Sequence, residues 1–501
     1  MTGASTIDPR TPVLVGAATL TQRVDDPAQG VDSLELMRRV TEAAAADAGS
    51  MDLLAAVGLV LVPKGIWNWG DPGGAVAASF GARPRRVLGE VGVLQQTLVT
   101  RACQAIATGR VDVALVVGGE DKHRQLRAAI AGVDLPAGND LVAGGEAAVP
   151  TELWRPEGDI LTRVEIERDL AVPAHQYALI EQALAHAEGR DDSARDARLG
   201  ELWSRFAAVA ATRPDAWDRS APTATEIVTP TPTNRMLATP YVRRLCSQWN
   251  VDQAAALLLT SAAEAERRGV PRDRWIFPWA AAESDAMIPL QCRAELHRSP
   301  AVALVGEALV AATPGLDTLA AVDVVDLYSC FPAAVGVQAR ELGIAESGDL
   351  TVTGGMTFYG GPLNNYVLQS TATLAARLRQ HPDDLGLVTS VSGMITKPGA
   401  ALWSGRPPAQ PFAALDVTAA ALEATETRPL DPDATGPATI VAATVVHDRG
   451  EPARAVAVVE TPGCTRTVAV ATEADTARAL ASGDWIGHRV DLTRPGAFVP
   501  H

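Results

Sequence analysis

Three glycine-punctuated turns, each behind a strand-like run, crowd into one stretch: VDVVDLYSCF at 322–331, GGMTFYGGPLNNY at 354–366 and LVTSVSGMITKPGAALW at 387–403. The β-branched runs Val322–Leu327 and Leu387–Val391 read as buried parallel strands, and in an α/β sheet the turns after such strands carry the groups that handle ligands. Three turns from one region are expected to converge on one pocket. The stretch also holds Tyr328, Tyr359 and Tyr366, three of the five tyrosines in the chain.

Working outward, the first part of the chain follows the same logic. Pro12–Ala18 reads as a strand, Ser33–Ala48 has helical spacing, and Leu59–Val62 is a second apolar run. The segment GIWNWGDPGG after it is a turn-rich loop with two tryptophans, read as a packed surface loop or a pocket wall. From Arg86 the order is strand, helix, strand. The helix begins just after Gly92, with Leu94, Leu98, Ala102 and Ile106 on one face, so its positive end points at Gly92. The residues there, Gly92–Gln95, include neither Cys nor Ser. VDVALVVGG at 111–119 is echoed by VDVVDLYSC at 322–330, which points to an internal duplication.

Between Asp121 and Asn250 regularity falls. Helices are expected at Pro173–Glu188 and Arg198–Ala210, but the interval reads as an insertion. An exposed turn at Asn250–Gln253 is expected to feed a strand, Ala254–Thr260. Further helices are expected at Ser299–Ala312, Phe331–Leu342 and Val367–Gln380. After Gly405 the linker RPPAQP leads into short alternating strands, Ala438–His447, Ala453–Glu460, Thr465–Ala471 and Trp485–Leu492.

Composition excludes several functions. The chain has 501 residues, 43 Lys plus Arg against 59 Asp plus Glu, and a net charge of −16, which argues against a nucleic-acid partner. The N-terminus has no basic stretch followed by an apolar core, and no apolar run of membrane-spanning length occurs, so a cytoplasmic protein without a membrane partner is expected. The five cysteines are scattered without CxxC spacing, so neither disulfides nor a metal site is expected.

GRVDVALVVGGED, WNVDQAAALLLTSAAEAERRG, VDVVDLYSCFP, GGMTFYGGP and the Gly-rich turn before Pro398 resemble, in order, the landmarks of the thiolase superfamily in its sterol-carrier-type branch. With a further β-rich domain at the C-terminus, the chain is similar to thiolase-like proteins of type 1. The resemblance implies an α/β protein with a duplicated thiolase fold, layered αβαβα. Its first half would span 1–265 with an inserted loop domain at about 121–250, its second half 266–405, and a small β-barrel-like (OB-like) domain 410–501. It also implies coenzyme A or an acyl-CoA as ligand, acyltransferase ancestry within lipid metabolism, and either a homodimer through a core sheet edge or, given the extra domain, a monomer.

Thiolase chemistry needs an activated Cys at a helix N-terminus, a His in a GHP turn and a second Cys in a CxG turn. Counting back from Gly118–Glu120, the nucleophile position falls on Gly92. The GHP turn reads Gly360, Gly361, Pro362, so Gly361 stands for the His. The CxG turn matches Ser390–Gly393 loosely, with Ser390 for the Cys. A His-Asp-Cys-Phe motif of the branch reads Tyr328, Ser329, Cys330, Phe331. Cys103 lies about 16 Å along the helix from Gly92 at 1.5 Å per residue and does not replace the nucleophile. Thiolase turnover is therefore not expected.

The expected function is binding of coenzyme A or an acyl-CoA, with Arg235, Arg243 and Arg244 meeting its phosphates. One alternative is an acyl-CoA-dependent lyase, such as a retro-aldolase, or another acyltransferase-like enzyme that uses Tyr328, Cys330 and Tyr359. Another makes the C-terminal domain the working part and the body a scaffold for a partner. Lys397 reads as solvent-facing, with contact to a phosphate or thioester oxygen as the alternative, and His447 with Asp448, and His488, read as surface or turn residues.

Overall fold

The computed structural model describes residues 7–135 and 149–501. Apolar runs of five to ten residues make most of the core of the strands, with shorter strands at the edges. In the first half these are β1 (Pro12–Gln22), β2 (Leu59–Pro63), β3 (Arg85–Gly89), β4 (Val113–Asp121) and β5 (Glu152–Trp154), the last only three residues long. Two short strands, β6 (Met236–Ala238) and β7 (Tyr241–Val242), leave this sheet, and β8 (Asp252–Ser261) returns to it. The order is β1-β8-β4-β2-β3-β5, with β2 through β5 mutually parallel and β8 antiparallel to both its neighbours.

The second half repeats the plan with β9 (Phe277–Glu283), β10 (Val324–Asp326), β11 (Leu385–Ser392), β12 (Lys397–Ser404) and β13 (Ala413–Asp416), in the order β10-β11-β12-β9-β13. The helices Gln95–Ala107 and Tyr366–Gln380 lie between the two sheets and touch both. Ser33–Asp47 covers the outer face of the first sheet, and Pro300–Ala311 that of the second. This is the expected layered αβαβα arrangement, and its central helix starts beside Gly92.

The C-terminal strands β14 (Gly436–Asp448), β15 (Glu451–Glu460), β16 (Arg466–Ala471), β17 (Arg489–Arg494) and β18 (Ala497–Pro500) close on themselves. β14 pairs with β15 and β17, β15 with β16, β16 with β18, and β18 with β17. The result is a five-stranded barrel around its own core of Ile440, Val445, Ala457, Val459, Val490 and Phe498.

Three details differ from the sequence reading. Asn250–Gln253 is no exposed turn: Val251, Asp252 and Gln253 are buried, because β8 already pairs with β1 and β4 from Asp252 onward. The described strands of the interval 121–250 belong to sheets outside it. β5 extends the first sheet, while the β6–β7 hairpin joins the barrel through Val446 and Ala238. The core sheet also runs beyond the proline linker, since β13 pairs in parallel with β9. Trp67 and Trp69 are core residues, with indole N–H groups donating to Gly119 O and Ser33 Oγ.

Candidate functional site

The turn before the central helix is built around Gly92, whose φ of +104° lies in territory that L-residues rarely adopt. The helix Gln95–Ala107 follows without a side-chain cap. A Cβ at Gly92 would stand 2.5 Å from Ile160 Cδ1 and 2.9 Å from Pro156 Cγ. The strap carrying Pro156 and Ile160 is anchored next to them: Thr162 and Glu165 form a capping box, Gln291 Nε2 donates to Thr162 Oγ1, and Leu290 N donates to Glu165 Oε1. The space into which a side chain at position 92 would project is filled by Ile160 and Pro156.

Lys397 corrects the sequence reading most sharply. It is fully buried rather than solvent-facing. Its ammonium donates to Gly92 O at 3.0 Å and pairs with Asp285 Oδ1 at 3.0 Å. The preceding turn, Gly393–Ile395, keeps three successive residues at positive φ, including Met394 at 50° and the β-branched Ile395 at 70°. Such backbone persists only where its surroundings over-determine it, and it clusters at functional sites. Here Arg293 donates to Gly393 O and Met394 O, and Ser299 Oγ donates to Ile395 O. Arg293 itself is buried, and burial pulls its guanidinium down to about 10.

The other two turns are tied by Asp326. One carboxylate oxygen accepts from Thr351 Oγ1, Thr353 Oγ1 and the amides of Val352 and Thr353, and the other accepts from Ser370 Oγ and Tyr366 OH. Tyr328 stands edge-on to Tyr366, ring centroids 5.8 Å apart, with its hydroxyl 3.5 Å from Gln95 Nε2. The Tyr359 hydroxyl instead donates to Asp215 Oδ2 at 2.6 Å, an acceptor it shares with Thr19. Cys330 is buried, and desolvation pushes its thiol up to about 12, although the Tyr177 hydroxyl opposes the shift. Burial raises the phenols of Tyr328, Tyr359 and Tyr366 as well. At Gly361 an added Cβ would lie 3.1 Å from Met356 Cε and 3.3 Å from Ser247 Cβ, so a base has little room there.

Two polar atoms at the start of the central helix have no hydrogen-bond partner: Gln96 Oε1 and Ser390 Oγ, both buried. Ser390 pairs with Gly399 across β11 and β12, and Gln96 Cβ would lie 3.2 Å from a Cβ on Gly399. Paired residues of an antiparallel ladder face the same side, so Ser390 lies on the sheet face against which Gln96 packs. Arg235 and Arg243 are exposed on the β6–β7 hairpin, and Arg244 reaches Glu226 O. Ser247, about 10 Å of chain beyond Arg244 at most, bonds Cys330 O and sits by Gly361.

Glu283 faces the same helix turn, accepting from Thr97 Oγ1 at 2.9 Å. Burial holds Glu283 and Glu120 above their usual 4.5, at about 7, and Asp252 above 3.8, at about 6. The folded chain therefore binds protons that the unfolded chain has released. This contribution to stability is complete below about pH 4 and is lost as pH rises through 6 to 7. Glu283→Gln keeps the neutral shape and is expected to leave stability unchanged near pH 5 while raising it by about 2 kcal/mol near pH 8. Thermal unfolding midpoints of both chains across that range check it, and parallel pH profiles would refute it.

Residues 418–497 match the family described as thiolase-like protein type 1 additional C-terminal domain. The whole chain superposes on the crystal structure of a monomeric SCP2-thiolase like protein type 1 (STLP1) from Mycobacterium smegmatis, with a TM-score of 0.82 and 26% identity over 99% of this chain and 100% of that one. The chain thus carries the additional C-terminal domain of thiolase-like proteins of type 1 and is similar over its length to one of them. The Ltp2-ChsH2(DUF35) aldolase shares the fold at TM-score 0.58 and 21% identity, covering 79% of this chain and 99% of that one. The acetyl-CoA acetyltransferase from Syntrophomonas wolfei does so at 0.54 and 15%, again over 79% and 99%. No curated protein matches the chain by sequence. Among the described residues no helix is long and apolar enough to cross a membrane.

Arg293, Asp326, Glu283 and Ile160 were not singled out by sequence reasoning, and Lys397 was weighed only as a ligand contact against a solvent-facing residue. A signal existed for Lys397, the single charged residue between Leu385 and Gly405. For the others the partners are distant in sequence and no local pattern marks them.

Proposed function

We propose that the chain binds coenzyme A thioesters without turning them over as a thiolase does. The observation that carries this reading is the surroundings of Gly92: at this uncapped helix start, which on the resemblance would hold the nucleophile, the space for a side chain belongs to Ile160 and Pro156. Ser390 Oγ and Gln96 Oε1 supply an unpartnered hydroxyl and an unpartnered acceptor, which suit the carbonyls and amide N–H groups of a pantetheine thioester. Arg243 and Arg244 lie a few residues of chain from the same turns, where a diphosphate would reach them. The buried, hydrogen-bonded phenols and the raised thiol of Cys330 favour binding over acid–base or acyl-transfer chemistry. Strand β3 is paired along its edge with β5 of the same chain, which supports a monomer.

Isothermal titration with acetyl-CoA, longer acyl-CoAs and free coenzyme A tests the proposal. The native chain is expected to give saturable heats, weakened about tenfold in the Arg243→Ala, Arg244→Ala double variant through lost charge-assisted contacts, with thiolysis of acetoacetyl-CoA at the level of the blank. No heat at millimolar ligand, or measurable thiolysis, would overturn it.

A further inference from the structure

The strained turn Gly393–Ile395 decides where Lys397 sits, and its supports lead into the barrel. All three of its carbonyls are gripped by side chains: Gly393 O by Arg293 Nη2 at 3.0 Å, Met394 O by Arg293 Nη1 at 2.7 Å and Ile395 O by Ser299 Oγ at 2.7 Å. A Cβ on Gly393 would meet Met287 Sδ at 2.6 Å and Lys397 Cγ at 3.2 Å, so the turn is closed down onto the lysine. Arg293 donates its remaining bond, from Nε, to Ile288 O. Among the described residues no carboxylate lies within ion-pair distance of it. A buried guanidinium held only by carbonyls is costly to place, and its backbone has to be fixed from elsewhere.

That fixing comes from the C-terminal unit. Arg466 on β16 forks onto two successive carbonyls, Arg293 O through Nη1 and Ala294 O through Nη2 at 2.9 Å, while its Nε is held by Glu460 Oε2 at 2.9 Å. The chain leading into the barrel adds backbone bonds to the same segment, Ala294 N to Glu426 O at 2.9 Å and Arg428 N to Cys292 O at 2.7 Å. A contiguous line of contacts thus runs Glu460, Arg466, backbone of 293–294, Arg293 guanidinium, backbone of 393–394, Lys397, Gly92 O.

We propose that the additional C-terminal barrel serves as the clamp of this turn, with Arg466 and Arg293 as positioning residues that seat Lys397 against Gly92. The domain then needs no ligand of its own. A planar two-carbonyl fork is a task for Arg and not for Lys, whose ammonium is a point charge. This inference concerns the geometry of the site and is independent of whether that site takes an acyl-CoA.

Hydrogen–deuterium exchange of native, Arg466→Ala and Arg466→Lys chains tests it. Amides of 393–397 are expected to exchange at least about tenfold faster in Arg466→Ala, while β14, β15 and the helix Tyr366–Gln380 keep native protection. If Arg466→Ala loses the barrel, Arg466→Lys decides, because it retains charge opposite Glu460 and loses only the fork. The turn is then expected to loosen while the barrel stays protected. Arg293→Lys, one link further on, is expected to loosen the same peptide with the barrel untouched. Native exchange at 393–397 in a folded Arg466→Lys chain, or loosening spread evenly over the barrel and no greater at the turn, overturns the proposal.

Discussion

Restoring a cysteine at position 92 is expected to destabilise the chain by about 4 kcal/mol and to yield no thiolase turnover. A non-glycine residue at strongly positive φ costs on the order of 1–3 kcal/mol, and forcing side-chain atoms into a filled space costs about the same again. Both terms apply at Gly92, with φ +104° and Ile160 Cδ1 2.5 Å from the new Cβ. They are separable. Ile160→Ala in the background of Gly92→Cys removes the clash and is expected to recover about 1 kcal/mol, leaving the backbone term in place. Catalysis stays absent in both, since Gly361 supplies no base and Met356 occupies its surroundings. Denaturant unfolding of the three chains gives the energies, and coenzyme A-dependent cleavage of acetoacetyl-CoA gives the rates. A Gly92→Cys chain as stable as the native one would refute the argument that this seat is closed.

How much of this was legible beforehand depends on the range of the interaction. The apolar runs announced β2, β4, β8 and β11, because a strand buried on both faces has no other way to be written, and alternation announced β14 to β17. Gly92 and Gly361 drew notice through their order relative to Gly118–Glu120 and Pro362, a local reading. What occupies their space was not legible. Ile160 and Met356 are ordinary apolar residues until the fold sets them against a glycine. The hub carboxylate Asp326 looked like its exposed neighbour Asp323, and only the donors of 351–353, Tyr366 and Ser370 distinguish it. β5 was missed because three residues carry no periodicity, yet it pairs with Val87–Gly89 of the edge strand β3. Tyr328, Cys330 and Tyr359 were grouped by proximity in sequence. The structure turns Tyr328 to Gln95 and Tyr366, Cys330 to Tyr177, and Tyr359 to Asp215.

Lys397→Ala is expected to cost about 4 kcal/mol, and a comparison of three substitutions shows why. Truncation to alanine opens a cavity in a closed region and leaves Gly92 O without its donor, two effects of about 2 kcal/mol each. Lys397→Met fills most of the volume and is expected to cost about 2 kcal/mol, the part that belongs to the lost hydrogen bond. Asp285→Asn keeps the lysine and removes only the ion pair. Asp285 has a side chain 44% exposed, so water takes over much of the pairing and the expected loss is under about 1 kcal/mol. The ranking Ala, Met, Asn therefore separates packing, the bond to Gly92 and the salt bridge, read as unfolding free energies in one denaturant series. If Asp285→Asn proved as damaging as Lys397→Ala, the ion pair and not the Gly92 carbonyl would be what holds this lysine in the interior. The Gly393–Ile395 turn would then matter for placing a charge beside Asp285 rather than for bracing the helix start where a thiolase keeps its nucleophile.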